Sequence, residues 1–333
     1  MRLNFIPELP QGLVASLEEH SIRTDSDFLS LSIVELLRNL PPGVATIGEI
    51  KRYKAIVAEA SSAPGHSAKT LFDSTSGNDP PTVVDLPSSL ACISPILAAH
   101  SGRIVELVGE GNSMKSEFAL NLILRFLAAN IDSASYWVDT AGDFSPDKAS
   151  RIASYSAEVG LDRIHLSPAL EIEELYDILD EIVALAKSGA PVLTVGYLVI
   201  DCITSLLGPL LSAAPSQGHA VMVNLMRQLK DIAQDHSITV IVINNSTSNS
   251  LQHGSHSMTR KPALGPTFAF LTDATLWVAP HPTHGASRDP SLFAEGSEDR
   301  VVYHLLVLKS NSTPAHTSGT FSLNSNFYLS SSI

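Results

Sequence analysis

The fold is decided by the octamer at residues 109–116, Gly109-Glu110-Gly111-Asn112-Ser113-Met114-Lys115-Ser116. The apolar segment before it, Ile104 to Val108, predicts a strand, and the amphipathic segment after it, Ser116 to Asn130, predicts a helix. In this context the pattern G-x-x-x-x-G-K-[S/T] presents backbone N–H groups and a helix N-terminus to phosphates. We therefore predict a nucleotide-binding loop in which Lys115 reaches the outer phosphates and Ser116 ligates Mg²⁺. From the octamer alone, an ordinary strand–turn–helix is the alternative.

A second segment supports the nucleotide-binding interpretation. Leu198-Val199-Ile200-Asp201 is an apolar strand that ends in a carboxylate, the arrangement that holds the Mg²⁺ shell in P-loop proteins. Buried strands often end in Asp, so the segment is weak alone. Together with Lys115 and Ser116 it predicts a P-loop fold, with Ser116 and Asp201 as the metal ligands.

The octamer departs from its pattern at Met114, which stands where the last glycine belongs. Glycine serves there because phosphate approaches closely and the backbone can need a positive φ. A residue with a Cβ costs roughly 1–2 kcal/mol in the left-handed conformation, and the thioether would crowd the phosphates. We expect weakened nucleotide binding. Because Lys115, Ser116 and Asp201 are all retained, residual binding is favoured over none.

Composition limits the possible partners. The 333 residues suffice for one large domain and a small one, and the net charge of −13 excludes a generally basic nucleic-acid coat. The two cysteines, Cys92 and Cys202, fit a reducing compartment. We expect no secretory signal in Met1 to Pro10, and the longest apolar run, Pro191 to Ile200, is about half a membrane span. We therefore expect an intracellular chain without a membrane anchor.

The pattern along the chain predicts three segments: a helical domain over residues 1–60, a Ser/Pro-rich linker over 61–90, and an α/β core over 91–333. In the helical domain we predict one helix spaced by Leu13, Leu17 and Ile22, a second carrying Phe28 to Leu37, and a third over 47–60. The linker contains one apolar pair, Leu71-Phe72.

In the core, apolar strands alternate with amphipathic helices, which predicts a mostly parallel sheet wrapped by helices. The predicted strands are 104–108, 135–138, 163–165, 197–200 and 238–243, and the predicted helices are 116–130, 147–159, 172–187 and 219–236. After residue 243 we predict no further helix. Segments 268–278, 301–309 and 319–329 are expected to form antiparallel strands, and 280–300 is a polar insertion.

The chain resembles the RecA/RadA recombinase family, and most of all the eukaryotic recombinase paralogues of the D type. The resemblance covers nearly the whole chain and rests on the octamer together with residues 136–140, 198–208, 242–245, 261–265 and 308–310. Lys261 to Gly265 and Ile200 to Leu211 indicate the D type. The resemblance implies a RecA-like ATPase core behind an N-terminal helical bundle, with ATP and Mg²⁺ as cofactors.

Two departures from the family affect the expected chemistry. Recombinases carry a catalytic Glu two residues after the Asp that ends the second core strand, and Ala141 stands at that place. Asp143, two positions further along a turn, is expected to point elsewhere, so we assign no catalytic residue and expect slow or absent hydrolysis. The family's polar Asn-Gln pair is present here as Asn245-Ser246. We therefore expect Asn245 to contact the nucleotide. Because the Gln is missing, we do not expect the nucleotide state to be coupled to the DNA-binding loop through it.

The resemblance also implies contacts with DNA and with a neighbouring protomer. Residues 210–218 and 246–262 correspond to the two DNA-facing loops, and Arg260 and Lys261 are the fixed cations of the second. A Ser/Asn-rich loop with no DNA role is an equal alternative. Recombinases dock a linker aromatic into the next protomer, and Phe72 is the suitable residue here. Local packing of Phe72 is the alternative.

From these observations we expect an accessory recombinase paralogue in the repair of DNA double-strand breaks by homologous recombination. It would act in the nucleus with other recombinase paralogues in a hetero-oligomeric complex, and reach single-stranded DNA through that complex. An active DNA-dependent ATPase or strand-exchange enzyme is the alternative, and Ala141 argues against it. A P-loop small-molecule kinase is a third interpretation, which the late strands and the absence of an Arg-rich lid disfavour.

Overall fold

The computed structural model describes residues 2–62, 81–111, 113–155, 161–187, 193–249, 259–281 and 300–331. The chain divides into two compact units, Met1–Asn78 and Asp79–Ile333. Within the described residues, no helix is long and apolar enough to cross a membrane. Residues 63–80 of the predicted linker lie outside the described part. Its last ten residues belong to the second unit, where Val84 and Leu90 are buried in the core.

The first unit contains α1 (Gln11–Glu18), α2 (Asp25–Ser30), α3 (Ile33–Asn39) and α4 (Ile47–Ser61). A capping box begins each of the last three, formed by Thr24 with Asp27, Ser32 with Glu35, and Thr46 with Glu49. The prediction of a single helix carrying residues 28–37 was wrong: α2 ends at Ser30, and the capping box at Ser32 begins a separate helix, α3.

The second unit alternates helices and strands around one sheet. Its helices are α5 (Lys115–Ala129), α6 (Pro146–Ala153), α7 (Ile172–Lys187), α8 (Ile203–Ala213), α9 (Pro215–Asp235) and α10 (Gly265–Leu271). Its strands are β1 (Ile104–Gly109), β2 (Ser133–Asp139), β3 (Ile164–Pro168), β4 (Thr194–Asp201), β5 (Thr239–Asn249), β6 (Thr259–Pro262), β7 (Ala274–Pro280), β8 (Val301–Ser310), β9 (Ser318–Leu323) and β10 (Leu329–Ser331).

The strand order across the sheet is β10-β9-β8-β7-β1-β5-β4-β2-β3, and β6 pairs with the end of β5. Strands β7, β1, β5, β4, β2 and β3 are each parallel to their neighbours in this order. On the other side of the sheet, β7 pairs antiparallel with β8, β8 with β9, and β9 with β10. This confirms the predicted α/β class with antiparallel strands on the C-terminal side. One detail was wrong: residues 265–271 form a helix, so the strand predicted from residue 268 begins at Ala274. This strand, β7, pairs antiparallel with β8 as predicted and parallel with its other neighbour β1.

The sheet register brings the predicted site residues to one edge. Gly109, the last residue of β1, pairs with Asn245 on β5, and Asp139, the last residue of β2, pairs with Asp201 on β4. In parallel sheets of this kind, ligands bind at the carboxyl ends of the strands. Residues that are far apart in sequence therefore meet where the predicted phosphate loop, residues 109–116, leaves β1.

Candidate nucleotide-binding site

The loop between β1 and α5 is tightly folded at its start. A Cβ added to Gly109 would lie far inside contact distance of the Val278 carbonyl oxygen and the Ser113 hydroxyl. The Ser113 hydroxyl donates to the Glu110 carbonyl at 2.8 Å, which closes the turn. The first glycine is thus required by packing against β7, independently of any ligand. Asn112, predicted as part of this loop, lies outside the described residues.

Met114 adopts the left-handed conformation that the glycine pattern predicted for its position, with φ 57° and ψ 34°. It immediately precedes α5, and its side chain packs against the core of the second unit. The left-handed backbone costs roughly 1–2 kcal/mol for a residue with a Cβ. The chain therefore carries strain at the end of the loop where phosphate is expected.

Lys115 is held against its own loop. Its ammonium donates to the Gly109 and Glu110 carbonyl oxygens at 3.1 and 2.7 Å and to the Ser113 hydroxyl at 3.2 Å, and the residue is 5% exposed. Burial lowers the pKa of the Lys115 ammonium, and Asp201 opposes this shift. The loop thus holds a buried cation at its base, where the outer phosphates of a nucleotide are expected.

Ser116 and Asp201 form the oxygen donor set expected for Mg²⁺. Burial raises the pKa of Asp201 to about 6; the hydrogen bond from the Ser116 hydroxyl opposes this shift, and the nearby Glu117 carboxylate adds to it. A hydroxyl bonded to a carboxylate beside a phosphate loop supplies the hard oxygen ligands that Mg²⁺ prefers. The residues present therefore fit a nucleotide with Mg²⁺.

The turn after β2 is fixed by the carboxylate of Asp139. Its two oxygens accept the backbone N–H groups of Ala141, Gly142, Asp143 and Phe144 at 2.8 to 3.3 Å. Burial favours a higher pKa for Asp139, but these four hydrogen bonds outweigh it and lower the pKa. Asp139 is thus engaged in holding the turn, and the exposed side chain at position 141 is a methyl group. Asp143 is also exposed, at the far end of the turn.

Asn245 lies beside the loop and is bonded on several sides. Its backbone N–H donates to the Thr204 hydroxyl at 2.9 Å, and its carbonyl accepts the Ala263 N–H at 2.8 Å. Its side-chain amide contacts the Cys202 sulfur at 3.6 Å. Asn245 therefore joins the end of β5, beside the loop between β1 and α5, to the start of α8 and to the strand pair β5–β6.

Sequence reasoning missed several polar residues near this edge. Glu117 forms an ion pair with Lys148 on α6 at 2.7 Å. Glu106 is fully buried within β1 and accepts a hydrogen bond from Asn244. The sequence did show a carboxylate, Glu106, inside the apolar segment Ile104 to Gly109. Its hydrogen-bond partners lie on distant strands, so no local sequence pattern predicts them.

The predicted DNA-contact residues lie on β6. Lys261 pairs with Thr247 of β5 and is exposed, and Arg260 pairs with Ser248. Residues 210–218, predicted as the other DNA-facing loop, are helical instead: α8 continues to Ala213, and α9 begins at Pro215. That this segment faces DNA stays a prediction. Phe72 lies outside the described residues, as does most of the 280–300 insertion.

The parallel sheet, the phosphate loop and the carboxylate at the end of β4 define a P-loop protein with a RecA-like fold. The Rad51 family profile matches residues 97–288, and the chain belongs to this family. It is similar to the DNA repair protein RAD51 homolog 4 of Bos taurus, with 24% identity over 290 residues that cover 83% of this chain and 84% of the relative. The Mus musculus protein of that name is 22% identical over 285 residues, covering 81% and 82%.

The crystal structure of the RadB recombinase has the same fold. It superposes with a TM-score of 0.53 at 20% identity, covering 73% of this chain and 97% of that one. The predicted resemblance to recombinase paralogues of the D type, the type of RAD51 homolog 4, is confirmed by these relatives.

The left-handed backbone of Met114 leads to a prediction. We expect Met114→Gly to tighten nucleotide binding, because glycine removes the side chain that crowds the end of the loop. The left-handed cost of roughly 1–2 kcal/mol is already present in the free chain, so its removal should appear as a gain in the free energy of unfolding. Titration calorimetry with a non-hydrolysable ATP analogue measures the change in affinity. Met114→Ala removes the thioether and keeps the Cβ. It should therefore recover only the part of the effect that comes from side-chain bulk and none of the left-handed backbone cost. Unchanged or weaker binding by the glycine variant would contradict the expected nucleotide pose.

Proposed function

We propose that the chain is an accessory paralogue in the repair of DNA double-strand breaks by homologous recombination. It binds ATP with Mg²⁺ and assists the assembly of a recombinase filament on single-stranded DNA, with slow or absent hydrolysis. The observation that carries this proposal is the turn after β2, where Asp139 holds the backbone and Ala141 provides no base. The relatives' names, which describe DNA repair proteins, support the wider setting.

In this proposal the phosphate loop serves binding rather than turnover. Lys115 would hold the outer phosphates, while Ser116 and Asp201 would hold Mg²⁺, which neutralises phosphate charge when it is bound. Asn245 would contact the nucleotide beside the loop. Binding without a base allows the nucleotide to act as a structural ligand that favours one conformation or one assembly.

The charge of the chain supports partner-assisted DNA binding. The net charge of −13 opposes a polyanion at long range, and only Arg260 and Lys261 are assigned as DNA contacts. Other recombinase paralogues in a hetero-oligomeric complex would supply the remaining phosphate contacts. A nuclear location follows from this role and is proposed with it.

A salt series tests the proposal. The isolated chain is expected to bind single-stranded DNA weakly, with a log–log salt slope of about −1 to −2, because each phosphate contact contributes about −0.7. The complex co-purified from the native cells should bind much more tightly and with a steeper slope.

Two results would count against the accessory role. Tight binding by the isolated chain at physiological salt, with a slope that implies about six or more phosphate contacts, would remove the need for a partner. Failure of both forms to bind would mean that Arg260 and Lys261 do not face DNA.

A further inference from the structure

A line of buried polar side chains runs through the sheet beside the phosphate loop. It begins at Glu106 in the middle of β1, a residue with 0% exposure. One carboxylate oxygen accepts the Asn244 side-chain amide at 2.7 Å, and the other accepts the Thr275 hydroxyl at 2.8 Å. Asn244 lies on β5 and Thr275 on β7, so Glu106 links both neighbours of its own strand.

Among the described residues, the first of these two arms continues to the end of β5 that lies beside the loop at residues 109–116. The Asn244 side-chain oxygen accepts the Thr204 hydroxyl at 2.7 Å, and the same hydroxyl accepts the Asn245 backbone N–H at 2.9 Å. The Ala263 N–H, next to the end of β6, donates to the Asn245 carbonyl. A continuous series of hydrogen bonds thus connects Glu106 to Asn245 and to the base of the β5–β6 pair.

A carboxyl at this depth is costly unless its bonds are made, since an unpaired buried polar group is destabilising. The other residues of β1 from Ile104 to Val108 are apolar and buried, and an aliphatic side chain would fill the position of Glu106 without that cost. Fully bonded polar networks hold their members in one arrangement. The hydrogen bonds through Asn244 therefore hold the residues at the other end of the series, Thr204 and Asn245, in one arrangement.

We propose that Glu106 is a positioning residue that fixes Asn245 and the base of the β5–β6 pair through Asn244 and Thr204. Thr275 satisfies the second carboxylate oxygen and has no part in placing Asn245. The positioning of Asn245 follows from these hydrogen bonds alone. Its effect on nucleotide binding rests on the proposed function.

Amide hydrogen exchange on the full-length chain tests the placement directly. In Glu106→Leu and in Thr204→Val, the Asn245 amide should exchange about fivefold faster or more, as expected for loss of one hydrogen bond worth about 1 kcal/mol. Glu106→Gln keeps one acceptor oxygen for the Asn244 amide and turns its NH₂ group toward the Thr275 hydroxyl, and Thr204→Ser keeps the hydroxyl. Exchange should therefore stay near the wild-type rate in both variants.

Thr275→Val is the matched control, because it removes the other hydrogen bond of the same carboxylate at an equally buried position. It should leave exchange at Asn245 unchanged. If it speeds exchange there as much as Glu106→Leu does, or if Glu106→Leu leaves Asn245 protected, the proposal is overturned. Should Glu106→Leu fail to fold, Asn244→Val cuts the same link with an apolar residue suited to a strand.

A nucleotide titration separates this proposal from the proposed function. If the chain binds ATP, Glu106→Leu and Thr204→Val should reduce its preference for an ATP analogue over ADP, and Thr275→Val should not. If the wild-type chain binds neither nucleotide, ATP binding fails as a function, while the exchange measurement still decides whether Glu106 positions Asn245.

Discussion

Replacing Ala141 with glutamate is expected to raise the rate of ATP hydrolysis by about 10²-fold, the lower end of the ~10²–10⁴-fold that a general base contributes. The turn that carries this position is already fixed by the Asp139 carboxylate. Position 141 is exposed, so a longer side chain fits without repacking the core. A phosphate-release assay on the purified chain, or on its complex, measures the change.

Ala141→Gln is the matched control, since it has the same length and no basic carboxylate. It should leave the rate at the low wild-type level, and adding Lys115→Ala to the glutamate variant should abolish the gain. Wild-type turnover on the order of 1 s⁻¹ or more, sensitive to Lys115→Ala, would show that another group activates water. That result would favour the alternative of an active ATPase.

Gly109→Ala is expected to destabilise the fold by about 3 kcal/mol or more, the upper end for inserting an atom into a well-packed site. The added Cβ would meet the Val278 carbonyl, a backbone atom of β7 that cannot move without disturbing the sheet. Denaturant unfolding monitored by circular dichroism measures the loss. Nucleotide binding by the phosphate loop should be lost as well.

The same substitution two residues later provides the comparison. A Cβ on Gly111 meets no atom within 4 Å, so Gly111→Ala should change stability by no more than about 0.5 kcal/mol. Equal losses for the two variants would mean that the tight packing of Gly109 against β7 does not determine the stability of the loop.

Sequence reasoning succeeded where the signal is local. The apolar strand before the octamer, the helix after it and the glycine position now occupied by Met114 can all be recognised within a short window. The helix over residues 172–187 was predicted with its observed bounds because its apolar residues recur at helical spacing.

Prediction from the sequence failed where tertiary structure overrides the local preference for helix, strand or loop. Residues 203–213 form α8 although Pro209 lies inside the helix, and α10 contains Thr267 and Phe268, residue types common in strands. The bonds between Glu106, Asn244 and Thr204 were beyond prediction for another reason. They join side chains from β1, β5 and α8, and only the sheet order brings these elements together.

The place of β1 in the sheet has a consequence for how the chain folds during synthesis. Its partners are β5 and β7, which the ribosome delivers long after the phosphate loop itself. Contacts between such distant segments form slowly, and an unpaired apolar strand promotes aggregation until they do. A premature stop codon upstream of Ala274 would leave one side of β1 permanently open. Such a truncated product is expected to be cleared by the cell, so the corresponding alleles should behave as complete losses of the protein.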